Sequence, residues 1–207
     1  MERFRVVRYF ILFFKHLKKV LVHKYWVAHY CFMCGLYWQG IVHDMSKFSP
    51  VEFFESVKFY RGTGSPINAC RLINGYSKAW FHHRGRNKHH WVYWVDELSK
   101  GMIPVKMPYK YALEMICDFL GAGRAYMGKL FTAEREYEWW TNERAVLHED
   151  TRYFVEDTLQ RMMVDGIEPV LKDIFKNRYL FKIWYKSLVH WKKPFKEWQK
   201  WQKSSGL

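Results

Sequence analysis

Residues 108–126 read PYKYALEMICDFLGAGRAY. Pro108 suits the first turn of a helix, where its missing N–H has no intrahelical partner to lose. Leu113, Ile116, Cys117 and Leu120 then recur at helical spacing and define one apolar face, so the stretch is a core helix. Glu114 and Asp118, one turn apart, continue from Tyr111 as a polar stripe opposite that face. Elsewhere the periodic stretches are also helical in spacing, with little strand-like alternation and no internal repeat. The chain reads as all-α, a helical bundle with basic amphipathic terminal helices.

Upstream, one helix is expected from Arg3 to Leu21 and another from Lys24 to Gln39, stopped by Gly40 in the usual C-terminal role. IVHDMSKF (41–48) forms a tight connection. Ser49-Pro50-Val51-Glu52 is a helix start in which Ser49 caps and Glu52 completes a capping box, and that helix ends near Tyr60. Three glycines and a proline mark residues 61–76 as a long loop. Ser77 caps a short helix through His83, broken at Gly85. Downstream, Thr132 and Thr151 cap helices over 133–147 and 152–164, Gly166 ends the second, and Pro169 opens a last helical region.

At 207 residues and 49% hydrophobic, with 16 Phe, 14 Tyr and 11 Trp, the chain can build a sizeable core. Its formal charge of +14 suggests a polyanionic partner, either nucleic acid or an anionic membrane surface. The charge is unevenly placed. Residues 1–24 carry a net +6 and residues 176–207 a net +8, whereas 25–175 hold 18 basic and 18 acidic residues. This divides the chain into a basic amphipathic N-terminal helix packed on the core (1–22), a neutral central domain (23–175) and a basic aromatic C-terminal helix or tail (176–207). In the first, Arg3, Arg5, Arg8 and Lys15 alternate with Phe4, Phe10, Phe13 and Phe14; in the tail, Trp184, Tyr185, Trp191, Trp198 and Trp201 stand among nine basic residues. Aromatics interleaved with Lys and Arg can stack on bases, and basic amphipathic helices can lie on anionic membranes; packing on the domain with the lysines left in water is the alternative.

The longest apolar run near the start, Tyr9–Phe14, falls far short of the roughly 20 residues a bilayer span requires, and no secretory signal is present. Cys31, Cys34, Cys70 and Cys117 make no disulfide framework at this length, so a reduced, cytoplasmic protein is expected. Cys31-x-x-Cys34 sits in a helical pattern without a βαβ context, which argues against redox or zinc use.

Ten histidines are many, and they cluster with acids: His43-Asp44, His82-His83 and His89-His90, with His23 and His29 upstream. Imidazole and carboxylate are the usual ligands of zinc, iron, manganese and related ions. An order of His, His-Asp, His, His and a distant Asp gathers them from several elements. The Glu114/Asp118 stripe alone would ordinarily be solvated surface, but four histidine-bearing segments make Asp118 a ligand candidate.

These residues resemble the HD superfamily of metal-dependent phosphohydrolases, an all-α fold marked by a histidine, an adjacent His-Asp and a distant aspartate. The longer motifs resemble more closely a family known only as a domain of unknown function. They are His43-Asp44-Met45-Ser46-Lys47-Phe48, then Ala79-Trp80-Phe81-His82-His83 with Arg86-Asn87-Lys88-His89-His90-Trp91, and Met107-Pro108 through Glu114-Met115 to Asp118. The resemblance spans about residues 21–155 and implies an HD-domain-like bundle. Carried over by position, it implies that His23, His43, Asp44, His83, His89, His90 and Asp118 bind one or two divalent ions (Mn, Fe, Co, Ni or Zn), with His89 and His90 undistinguished. His29 is then a packing residue and His82 an extra one. A metal-activated water attacking a small phosphorylated substrate is the implied chemistry, with Asp44 bridging two ions, Lys47 and Arg86 neutralising the phosphate, and Glu114 accepting a proton. A di-iron oxygenase built on the same ligand order is one rival. A non-enzymatic metal-stabilised protein binding nucleic acid or membrane through its ends is the other.

Overall fold

A computed structural model describes residues 2–99, 101–143, 145–188 and 194–205, side chains excepted at 2–5, 98, 201, 202 and 205. Helix α1 (Glu2–Met33) is followed by α2 (Tyr37–Val42), α3 (Pro50–Phe59), α4 (Pro66–Asn74) and α5 (Lys78–Arg86). A two-stranded antiparallel hairpin, β1 (Val95–Leu98) and β2 (Gly101–Pro104), precedes α6 (Tyr109–Met127). The chain closes with α7 (Ala133–Asn142), α8 (Glu149–Asp165), α9 (Ile167–Lys176), α10 (Arg178–Ser187) and α11 (Phe195–Ser205). The all-α reading holds, apart from the hairpin.

The long pair α1 and α6 forms the spine. Val27 and Cys31 of α1, with Cys34 just beyond its end, meet Leu113, Ile116, Cys117 and Leu120 of α6, all essentially buried. Gly121 makes the approach close enough: a Cβ there would stand 2.4 Å from Val27 Cγ2 and 2.9 Å from the Val27 nitrogen. All four cysteines are free and buried, and the C-x-x-C pair belongs to this core.

Several expected boundaries move. The first two helices are one, because nothing between Leu21 and Lys24 breaks the pattern; the position proposed as a domain boundary lies inside α1. The helix ends at Gly35, in the left-handed region at φ +82°, not at Gly40. Gly40 lies within α2, where a Cβ would press on Phe32 at 2.8 Å. The 61–76 loop contains α4, with Pro66 in its first turn and Gly75 at φ +78° closing it. Helix α5 runs through Gly85 to Arg86. Thr132 caps α7 as expected, but that helix ends at Asn142. Thr151 is no cap: His148 caps α8, while Thr151 is buried and accepts from the Met107 N–H at 3.1 Å.

The ends differ in environment. Val6, Val7, Tyr9, Phe10 and Ile11 are exposed, so α1 packs on the bundle only from about Phe13, which meets Phe53 edge-on at 5.0 Å. At the other end Trp184, Tyr185 and Trp198 are buried with Phe181 and Phe195, whose rings stack at 3.5 Å. Three of the tail aromatics named as base-stacking candidates are therefore core residues. Trp191 and the Trp201 side chain lie outside the described residues. Among the described residues, no helix is long and apolar enough to cross a membrane.

Candidate metal centre

The motif residues converge between α1, α5, α6 and the α2–α3 connection. His23 comes from mid-α1. Lys24, beside it, donates to the carbonyls of Ile41 (2.6 Å) and His43 (2.9 Å), tying the connection to α1. Asp44 then adopts the left-handed conformation, φ 53°, the only described non-glycine residue to do so. Aspartate tolerates that region better than most residues, and the bend lets the adjacent His43 and Asp44 side chains serve one locus. A 3₁₀ turn over Met45–Phe48 follows.

His23, His43, Asp44, His83 and His89 are each at most 7% exposed. Their inward atoms fall into two sets. His23 Nε2 lies 3.3 Å from Asp44 Oδ2 and 3.2 Å from Asp118 Oδ1, and His43 Nε2 lies 3.4 and 3.3 Å from the same two oxygens. The other Asp44 oxygen, Oδ1, stands 3.3 Å from both His83 Nε2 and His89 Nε2, and His90 completes this second set of four. Asp44 thus belongs to both sets through different oxygens. Ligand atoms about 2.0–2.2 Å from a tetrahedral ion stand about 3.3–3.6 Å apart, the range seen here.

The outer nitrogens explain the orientation. His43 Nδ1 and His89 Nδ1 donate to the same oxygen of Glu114, at 3.1 and 3.2 Å. His83 Nδ1 donates to Glu52 Oε2 at 2.7 Å, and His82 to Glu52 Oε1 at 2.6 Å. An ionised carboxylate only accepts, so Nδ1 carries the proton and each Nε2 lone pair faces inward. His43 Nε2, His89 Nε2, His90 Nε2 and Asp44 Oδ1 are buried there without an aligned hydrogen bond. Lone pairs and carboxylates crowded away from water require protons or a cation between them, and these His/Asp groups can hold a metal ion. His43, His89 and Glu114 also lie near enough to share an ion, but Glu114 is satisfied by two N–H donors and the unpartnered atoms are on the other side.

The electrostatics show the same demand for positive charge among these groups, met by protons where no cation is bound. Burial pushes the His43 pKa down, but the charge of Asp44 and bonds to Asp118, Asp44 and Glu114 outweigh it and hold the group well above its ordinary value. Burial opposes ionisation of Asp44 and Asp118, yet the surrounding imidazoles and, for Asp44, Lys47 keep both well below the usual carboxylate range. His90, pushed far down by burial and by the charges of His89 and His83, stays neutral with a free lone pair.

All seven expected ligands come together, His89 and His90 both included. The supporting residues divide. Lys47 reaches Asp44 Oδ2 at 2.5 Å and is one-quarter exposed toward a cavity of about 180 Å³ that also touches His23 and Asp118. Arg86 is exposed, its Nη1 only 3.5 Å from its own helix's His82 carbonyl, outside the cluster. Glu114 is a histidine orienter, with no place on the cavity wall. His29 meets the rings of Tyr25, Trp26 and Tyr30 on its own helix and stands outside the cluster.

Glu52 is the main residue that sequence reasoning misplaced. Ser49 does accept from the Glu52 N–H, but the Glu52 carboxylate turns to His82 and His83 instead of closing a capping box. Ser46 and Asn87, both in the motifs, bond each other at 2.7 Å and flank His83 Nδ1. His16 was also missed. It is buried with Nδ1 unpartnered and lines the cavity with Lys19 and His23, a stripe at helical spacing on α1 that the sequence displays.

Residues 12–161 match the model of a family of unknown function (DUF5662), and the chain belongs to that family. No curated protein and no solved structure matches it. The matched segment contains every residue of the candidate metal centre.

Proposed function

We propose that the protein is a metal-dependent phosphohydrolase acting on a small phosphorylated substrate. The observation that carries this is the division of Asp44 between two ligand sets, Oδ2 facing His23 and His43 beside Asp118, and Oδ1 facing His83 and His89, with His90 grouped beside them. That arrangement suits two ions of the Mn, Fe, Co, Ni or Zn class sharing one carboxylate. Such ions supply an activated water and neutralise charge on a phosphoryl group.

The remaining roles belong to the chain. Glu114 and Glu52 keep the imidazole lone pairs turned inward. Lys47, whose charge survives burial because Asp44 and Asp118 stabilise it, offers an ammonium to a phosphoryl oxygen at the cavity wall. His16, pushed down to about 4 by burial and by Lys47, is a neutral imidazole facing the same space. The cavity of about 180 Å³ holds the volume of about six waters. A phosphoryl group with a short leaving group fits; a larger substrate must keep the rest of its mass outside.

The test is elemental analysis of protein purified without chelator, together with a screen of nucleotides and generic phosphate esters in Mn, Co, Ni, Mg, Fe and Zn. Bound metal and phosphate release abolished by Asp44→Asn are expected. Absence of both metal and release refutes the proposal. Oxygen-dependent consumption of a polyol or phosphonate without ester hydrolysis replaces it with the di-iron oxygenase reading.

A further inference from the structure

A second concavity of about 870 Å³ lies on a different face of α6, between its first turn, the α1–α2 connection and α10. Leu36, Pro108 and Tyr109 give its floor accessible apolar surface, backed by the buried Cys34, Met107, Leu113 and Tyr185. Lys106, Lys110, Arg178, Lys182 and Lys186 stand around it. Only Lys106 has a carboxylate partner among the described residues, Asp150 at 3.0 Å, and its ammonium also lies 4.8 Å above the Tyr185 ring.

The other four cations are exposed. Arg178, Lys182 and Lys186 follow one another at i, i+4 and i+8 along α10, a like-charge stripe that weakens an isolated helix. The Tyr109 hydroxyl, on a residue that lines the same cavity, is buried without a hydrogen-bond partner. Like charges gathered around an apolar hollow are satisfied by a molecule with an anionic end and an apolar body. An extended polyanion such as nucleic acid would use the charge and leave the floor unfilled, and Trp184 and Tyr185 of α10 are buried and cannot stack its bases.

We infer that this cavity binds a single-chain anionic amphiphile, its carboxylate or phosphate head against the Lys110/Arg178/Lys182/Lys186 rim and its apolar body over Leu36, Pro108 and Tyr109. The inference is independent of the metal centre. It also gives a use to part of the charge at the C-terminal end, since three of the nine basic residues of 176–207 stand on this rim.

The experiment titrates the full chain with dodecanoate below its micelle-forming concentration, by calorimetry, beside R178E/K182E and beside inorganic phosphate. Both substituted residues are exposed, and an unchanged circular dichroism melt checks the fold. Saturable binding at one site is expected, weakened about tenfold by the double reversal and by added salt, with phosphate alone far weaker. Co-sedimentation with phosphatidylcholine vesicles, with and without phosphatidylserine, then identifies the source of the head group. With dodecanoate bound, retention on the phosphatidylserine vesicles that R178E/K182E abolishes assigns it to a bilayer; no retention assigns it to a soluble amphiphile, and both uphold the site. No saturable dodecanoate binding, undiminished binding by R178E/K182E, or equal binding of phosphate overturns the inference.

Discussion

Replacing Glu114 by leucine removes the one carboxylate oxygen that receives both His43 Nδ1 (3.1 Å) and His89 Nδ1 (3.2 Å). The two imidazoles serve different ligand sets, His43 with His23 and Asp118, His89 with His83 and His90. Both sets should therefore weaken together. Losing the carboxylate behind a ligating histidine costs about 10- to 100-fold in metal affinity, or about 1.4–2.7 kcal/mol. Glu114→Gln should be milder, because one amide oxygen in the same place still accepts from both rings. Only the charge assistance is lost, about half of each bond's strength, which corresponds to about 3- to 10-fold. Chelator competition followed by metal quantitation measures both variants without reference to turnover. The expected order is parent, Gln, then Leu, with the two sets falling in parallel. If both variants kept full metal affinity and both lost hydrolysis, Glu114 would be the proton acceptor of the chemistry the family resemblance implies, and the orienting role assigned to it would be refuted.

Three further outcomes are expected. Burial, and then the charge of Asp118, push the Glu136 carboxyl up to about 8 from an ordinary 4.5. Native protein then holds a proton that the unfolded chain releases, so this contribution to stability is complete below about pH 4.5 and is lost as pH rises toward 8. Glu136→Gln should flatten that slope and stabilise the protein by about 3 kcal/mol at pH 7, read from urea titrations across the range; an unchanged slope sinks the assignment. Gly121→Ala should drive α6 from α1, since its Cβ would meet the Val27 backbone nitrogen at 2.9 Å, costing about 1–3 kcal/mol. The same shift separates His23 from Asp118, so metal affinity should fall along with Tm, and a Tm loss with intact affinity would show that the bundle absorbs the strain elsewhere. At matched metal content, Arg86→Ala should leave phosphate-ester turnover within error of the parent, while Lys47→Ala lowers it by about 100-fold; equal losses would put Arg86 back beside the substrate.

Much of the candidate metal centre is legible in the sequence because its residues are carried by short local motifs. The adjacent pair His43-Asp44, the doublet His89-His90 and the helical spacing of Glu114 and Asp118 are properties of neighbouring residues, and each survived intact in the structure. The polar stripe of α6 taken alone misleads about its environment. Opposite an apolar face it looks solvated, but Glu114 is only 5% exposed because the histidine-bearing segments cover it. Glu52 failed differently. Ser49-Pro50-Val51-Glu52 satisfies a local rule for a helix start, and nothing local reveals that His82 and His83, some 30 residues on, claim its carboxylate.

Helix class, the apolar face of α6 and the identity of the candidate ligands rest on chain-neighbour chemistry, namely spacing, capping and donor type, and these can be read along one dimension. The two-set division of Asp44, the pairing of Glu52 and Glu114 with histidine nitrogens, the exposed position of Arg86 and the gathering of five cations around an apolar cavity depend on which segments lie against one another. Those outcomes come from burial. Removing a carboxylate or an imidazole from water forces it to find a partner, and the nearest partner in space is supplied by the packing of α1 on α6 and of α5 on α3, not by position in the chain.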